Sequence, residues 1–304
     1  MPTAGSRFRV RQDLTSLPRV EDEWTFLYVQ HRKIHQDAFG IQLVTEQGAV
    51  QVPLAQFNVL LIGPGVSITS AAVTALADHG CSILWVGENG VRFYASGHPK
   101  THDASNLHKQ AQVWADPVER VKVVRRMYVL RYGETFPESS EIAVLRGYEG
   151  GRVKQAYLDA ATKWGIDWKG RHYKLGNGDV TDLVNRCISV AASCLYGLCH
   201  AAIVAVGFSS ALGFIHKVDM RSFVWDIADM YRESVTIPIA FGVAAQCTME
   251  TAEGATRRAC REVFKKIKLL ERIVPDTYEV LGLTRVGAKF VDFSAWDSLK
   301  FKTV

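Results

Sequence analysis

Two aspartates, Asp226 and Asp229, stand three residues apart in HKVDMRSFVWDIADMYR (216–232), among Phe223, Val224, Trp225, Ile227, Ala228 and Met230. On a helix that spacing brings both carboxylates to one face of an otherwise apolar stretch. An ionised group loses its water on burial, so the pair needs a metal ion, a base or an arginine, or must face a cleft. His216 lies ten residues upstream of Asp226, across a short turn-like piece. Glu149 sits in RGYEGGR, where Gly147, Gly150 and Gly151 remove side chains around it. Glycines weaken a helix, and here they would let a backbone or a phosphate come close. Arg146 and Arg152 flank Glu149 at three-residue spacing.

A Glu, a His and an Asp from separate elements suit a Mg2+ or Mn2+ site, with the imidazole tilting preference toward Mn2+. Arginines beside such a site would orient a phosphate. Each residue alone also has a plainer reading. Glu149 could pair with Arg152 on the surface, His216 could be a satisfied histidine, and the aspartates a solvated face. No Ser-His-Asp arrangement, Walker loop, dinucleotide fingerprint or CxxC zinc pattern competes.

The elements that must position these groups fall into two regions. The 304 residues are 48% hydrophobic and 22% charged, as in a globular chain, and the net charge of +5 is mildly basic. WTFLYVQ, KIHQ, GIQLVT, AVQVPL and FNVLLIG read as short strands between turn signals. SITSAAVTALADHG reads as a capped helix, and SILWVG and VRFYAS as strands around an ENG turn. The fold class expected is α+β in two domains. Residues 1–100 form a mostly β domain with one helix, 101–280 an all-α domain carrying the site, and 281–304 a flexible tail.

SGHPKTHDASN is the linker candidate. Helices are expected over DPVERVKVVRRMYVLRYG, over SSEIAVLRGYEGGRVKQAYLDAATKWG, and over a basic TRRACREVFKKIKLLERIVPD ending near its proline. Thr181 or Asp182 could cap a helix running into Cys187–Ile215, a span with no Lys, Arg, Asp or Glu. That span is long enough for a bilayer, but its His200, serines and internal glycines favour a buried central helix and no membrane. Six cysteines without a CxxC pair, and no secretory segment at the start, read as reduced thiols in the cytoplasm.

LRGYEGGRVKQAY, CISVAASCLYG, GFIHKVDMRSFVWDIADM and SILWVGENGVRFYASG together resemble the CRISPR-associated integrase, the universal adaptation endonuclease, close to its subtype I-E branch. The likeness runs in order from about residue 20 to 275. It implies a β-rich first domain, an all-helical second one, and a divalent metal on Glu149, His216 and Asp229. Asp226 and Tyr196 match family residues that assist at the site, and Arg92 matches an arginine associated with DNA. Asp219 departs from the resemblance, which implies a basic or neutral residue there.

The activity implied is insertion of short foreign DNA into a CRISPR array, a DNA 3′-hydroxyl attacking and Mg2+ or Mn2+ assisting. The partners implied are double-stranded DNA (protospacer and repeat), a second copy as a homodimer, and a small ferredoxin-like protein bridging two dimers. Arg92, Arg146, Arg152, Lys217, Arg221, Arg232, Arg257, Arg258 and Arg261 are the DNA-contact candidates. Three basic clusters, at Arg120–Arg131, Lys163–Lys174 and Arg257–Lys268, suggest a track for phosphates. Trp225 and Tyr231 could stack on bases, although packing suits Trp225. The alternatives are a stand-alone nuclease on branched DNA and a DNA-binding scaffold whose acidic residues merely pair with arginines.

Overall fold

The computed structural model describes residues 23–37, 40–45, 48–54, 57–97, 104–134, 142–171 and 183–292. Most of the linker candidate, the caps Thr181 and Asp182, and residues 293–304 lie outside the described residues.

The first region holds β1 (Glu23–Val29), β2 (Lys33–Asp37), β3 (Gly40–Thr45), β4 (Gly48–Pro53), β5 (Val59–Ile62), β6 (Ser67–Ile68), α1 (Ser70–Asp78), β7 (Ser82–Val86) and β8 (Phe93–Gly97). They build two sheets, of order β4-β3-β2-β6 and β8-β7-β5-β1, the latter extended beyond β1 by a strand from the far end of the chain. Alternation along a strand sends neighbours to opposite faces. Leu27 and Val29 therefore face Ile34, Ile41, Leu43 and α1, whereas Phe26 and Tyr28 face the helical region. The five-stranded sheet is thus the wall between two cores.

Helices follow: α2 (Ser105–Ala115), α3 (Pro117–Tyr132), α4 (Ile142–Trp164), α5 (Leu183–Ala205), α6 (Ser222–Tyr231), α7 (Ile237–Ala244), α8 (Ala252–Lys266) and α9 (Leu269–Val280). Their ends have local causes. Asp116 accepts from the N–H groups of Val118 and Glu119 ahead of Pro117, and Gly133 closes α3 in the left-handed region at φ 68°. α5 is the buried axis, packed against α6, α7, α8, α9 and β7. It is the one helix among the described residues long and apolar enough to cross a membrane, and 61% of its apolar window is buried inside the fold. Gly197 lets it touch the β7–β8 turn, since a Cβ there would lie 2.6 Å from Arg92 Cα.

Three expectations need correction, the first being the uncharged span, which is helical only as far as Ala205 and irregular from there to Ile215. The basic helix is two helices, α8 and α9, because Lys268 takes the left-handed conformation (φ 52°, ψ 46°), and Pro275 lies inside α9 and does not end it. The tail is not free over its first part: β9 (Gly287–Asp292) pairs in parallel with β1, from Glu23↔Gly287 to Tyr28↔Asp292. Phe290 packs against the main core, and its ring stacks 6.1 Å from Tyr28. The six cysteines are free thiols.

Candidate active site

α6 begins where Asp219 organises the chain. The Asp219 carboxylate accepts the Arg221 N–H at 2.8 Å, its carbonyl accepts the Ser222 hydroxyl at 2.7 Å, and the Ser222 N–H follows at 3.0 Å. The acidic residue that departs from the family likeness thus sets the turn. Phe223, Val224, Ile227 and Ala228 bury the helix, with Phe214 and Phe223 edge to face at 5.8 Å. Burying each of Phe223, Val224 and Ile227 contributes roughly 1.5–3 kcal/mol.

Asp226, on this helix, is 1% exposed. Its oxygens accept the backbone N–H groups of Phe214, Ile215 and His216 at 2.5, 3.1 and 3.0 Å. They also meet His216 Nδ1 at 2.7 Å. The 213–216 segment is therefore wrapped around one carboxylate. Gly213 permits this, because a Cβ there would collide with the His216 carbonyl and lie 2.6 Å from Ser222 Cβ. The Asp226 bond, opposed by burial, raises the His216 pKa above its ordinary value.

Asp229, one turn on, points elsewhere. Burial raises its carboxyl pKa, and the charges of Arg232 and Arg131 only partly offset that. Arg232 lies 3.5 Å away. Glu149, on α4, accepts the Tyr128 hydroxyl at 2.8 Å and Arg131 Nη1 at 2.8 Å. Burial would raise its pKa, but the Arg131 bond and charge and the Tyr128 bond outweigh that and hold it below the carboxylate norm. Glu149, His216 and Asp229 feel one another's charge. Three sequence-distant groups thus share one electrostatic environment, yet among the described residues no three His, Cys, Asp or Glu side chains stand close enough to hold an ion as placed.

The residues that sequence reading missed sit between them. Arg131, 6% exposed at its side chain, bridges Glu149 and Glu233, the latter at 2.7 Å. Glu233 also accepts the Tyr132 hydroxyl at 3.1 Å. After α6 the helix widens into a π turn, Arg232–Thr236, which carries Arg232 and Glu233. Such turns break regular spacing and collect at functional sites. Neither the π turn nor the Arg131 bridge has a local signal in the sequence.

Several candidate contacts turn out to be occupied. Arg152 bonds Glu134 at 2.6 Å and lies over the Tyr132 ring; it does not pair with Glu149. Arg257 pairs with Glu253, Arg261 with Glu88, Arg221 with Asp219, and Arg232 with Asp229. Arg92, Arg146, Lys217 and Arg258 are exposed. Three cations of the α3 cluster are engaged by the fold: Arg120 bonds the Gly213 and Phe214 carbonyls, Arg126 that of Val280, and Arg131 is buried. Arg120 and Arg131 thereby brace the site from behind. Gly147, Gly150 and Gly151 have open space beside them: apart from their own helix, no atom of the described residues lies within 4 Å of a Cβ placed there. Tyr196 is half-buried and near enough to Arg232 to raise its pKa. Tyr231 is 2% exposed and bonds Asp276 at 2.7 Å, so it is closed to bases.

A β-rich region joined to a helical one that carries a histidine–carboxylate site defines a class of two-domain α+β protein. The family model described as CRISPR associated protein Cas1 matches residues 26–133 and 128–259, and the chain belongs to that family. It is 44% identical over 265 residues to "CRISPR-associated endonuclease Cas1 2" of Thermus thermophilus, covering 87% of this chain and 81% of that protein. It is 36% identical over 264 residues to "CRISPR-associated endonuclease Cas1" of Escherichia coli, covering 86% of each. The fold is similar to the crystal structure of a TtCas1–DNA complex, with TM-score 0.80, 44% identity, and coverage of 87% of this chain and 99% of that one. A casposase bound to its integration product shares the fold, at TM-score 0.54, 15% identity, and coverage of 83% and 95%.

Proposed function

We infer that this chain is a metal-dependent DNA endonuclease and integrase of CRISPR adaptation. It inserts short foreign DNA into the CRISPR array by attack of a DNA 3′-hydroxyl on a phosphodiester, with no protein side chain as nucleophile. The observation that carries the reading is His216 fixed by buried Asp226, on the helix that also carries Asp229, with Glu149 oriented by Tyr128 and Arg131.

The donor chemistry fits a divalent ion. The Glu149 oxygens accept one hydrogen bond each and keep further lone pairs, and Asp226 engages Nδ1 of His216, which leaves Nε2. Asp229 is a carboxylate in surroundings that penalise its bare charge. Glu149, His216 and Asp229 would hold Mg2+ or Mn2+, whose chemistry there is to polarise the scissile phosphate and offset charge on its oxygens.

The other residues bind and position. Asp226 sets the His216 ring, and Arg131 restrains Glu149. Tyr196, near Arg232, assists at the same edge. Exposed Arg92, Arg146, Lys217 and Arg258 would meet DNA phosphates directly, whereas Arg152, Arg221, Arg232, Arg257 and Arg261 would exchange a carboxylate for one. The 44%-identical relative solved with DNA supports DNA as the partner. The motif likeness to the subtype I-E branch supports homodimers in the cytoplasm, bridged by a small ferredoxin-like protein that spaces the two attacks.

A second reading has one observation in its favour: Glu149 and Asp229 each already face an arginine, as in a scaffold with an inactive site. Strand transfer into a supercoiled plasmid carrying a repeat, with and without Mn2+ and partner, separates the two. Joining that needs the metal supports the integrase. Metal-independent DNA binding with no joining supports the scaffold, and cleavage of branched DNA without the partner supports the stand-alone nuclease.

A further inference from the structure

The turn from His216 to α6 carries two large apolar side chains that stand exposed. Val218 is 99% exposed and Met220 is 75% exposed. They alternate with Asp219, whose carboxylate turns back to the Arg221 N–H. The turn is also braced. Ser222, fully buried, ties to the Asp219 carbonyl, Arg221 lies 5.6 Å over the Trp225 ring, and Trp225 meets His216 edge-on at 5.5 Å. Exposed Lys217 and Arg221 flank the pair.

Single exposed apolar residues are ordinary, but two projecting from one rigid turn, between cations and beside the site histidine, are a built feature. Cations at the base would meet phosphates, while apolar tips of this kind enter a base stack and kink the duplex. Mobile chain would lose the wedge's rigidity; this turn is fixed at both ends, by Asp226 on His216 and by Asp219 on Ser222.

We propose that Val218 and Met220 form a wedge that enters the target duplex beside the scissile phosphate, unstacking that base step so that the phosphate reaches His216. The proposal rests on the integrase reading for the identity of the target duplex. It assigns the turn to DNA and not to a protein partner.

The test places 2-aminopurine on either side of the insertion junction in a repeat-containing duplex. Binding is followed with the His216→Ala protein under chelation, so no chemistry intervenes. The fluorescence should rise several-fold on binding. With Val218→Ser and Met220→Ser added, the rise should vanish while affinity for unrelated duplex and its salt dependence stay the same. In otherwise wild-type protein, the double variant should lower strand transfer by about tenfold or more, and a mismatch at the junction should restore it. Both sites are exposed, so folding is not at stake.

A rise that persists in the double variant overturns the wedge, as does a transfer defect that the mismatch does not relieve. A defect seen only when the partner protein is present, without a fluorescence change, assigns the turn to protein contact and also overturns it. The two readings fail separately. Unstacking without any strand transfer keeps the wedge and removes the integrase, whereas strand transfer without unstacking does the reverse.

Discussion

Asp226 Oδ1 lies 2.7 Å from His216 Nδ1, and the same carboxylate accepts three consecutive backbone N–H groups, those of Phe214, Ile215 and His216. One buried residue therefore fixes both the ring and the chain that carries it. Asp229, three residues later, has no part in that arrangement and faces Arg232. The pair that shares a helix face divides its labour.

The division predicts different responses to metal. A ligand that binds only the folded state stabilises it by about 2.7 kcal/mol at a hundredfold excess over its Kd. Asp229→Asn should lose most of the Mn2+-induced rise in Tm, because it removes a donor. Asp226→Asn should keep part of that rise yet lose strand transfer, because it loosens the His216 segment. Melting curves against added Mn2+ decide this, and the reverse order would exchange the two roles.

Arg131 is buried between two carboxylates, so Arg131→Met should be costly. It leaves Glu149 and Glu233 without their common cation, and breaking a buried pair costs about 3–5 kcal/mol. Urea unfolding should show a loss of that order. A change below about 1 kcal/mol would mean the bridge does not hold the helices together.

His200 on α5 lies tilted against Phe93 with ring centroids 4.0 Å apart, and burial, then the charge of Arg221, pushes its pKa from 6.5 down to about 4. The folded state therefore refuses a proton that the unfolded chain accepts. Its contribution is fully present above pH 6.5 and is lost as pH falls toward 4, by up to about 3 kcal/mol. Stability measured from pH 7.5 to 4.5 should fall more steeply for the wild type than for His200→Gln. Parallel curves would show that His200 titrates normally.

Much of this was legible in the residues, for reasons that vary by element. α3 announced itself through Asp116, Pro117 and Gly133, each acting within a turn of its own position. The strands did so through β-branched and aromatic runs. β9 did not, because its partner β1 is more than 250 residues away and parallel pairing leaves no local mark. The α8–α9 break is hidden since a lysine, Lys268, takes the left-handed conformation that usually signals glycine. At the site, residue types and spacing pointed to Glu149, His216, Asp226 and Asp229. The partners of those residues stayed invisible: Arg131 looks like one more surface cation of α3 until the fold buries it.

If Glu149, His216 and Asp229 perform metal-assisted chemistry while cations elsewhere hold the DNA, joining and affinity must come apart. Strand transfer by the His216→Ala protein with Mn2+ and partner, measured alongside its affinity for the same DNA, tests that separation. Joining should be abolished while affinity stays within about threefold of wild type, since phosphate contacts dominate binding. Near-normal joining by His216→Ala would contradict the metal-assisted chemistry.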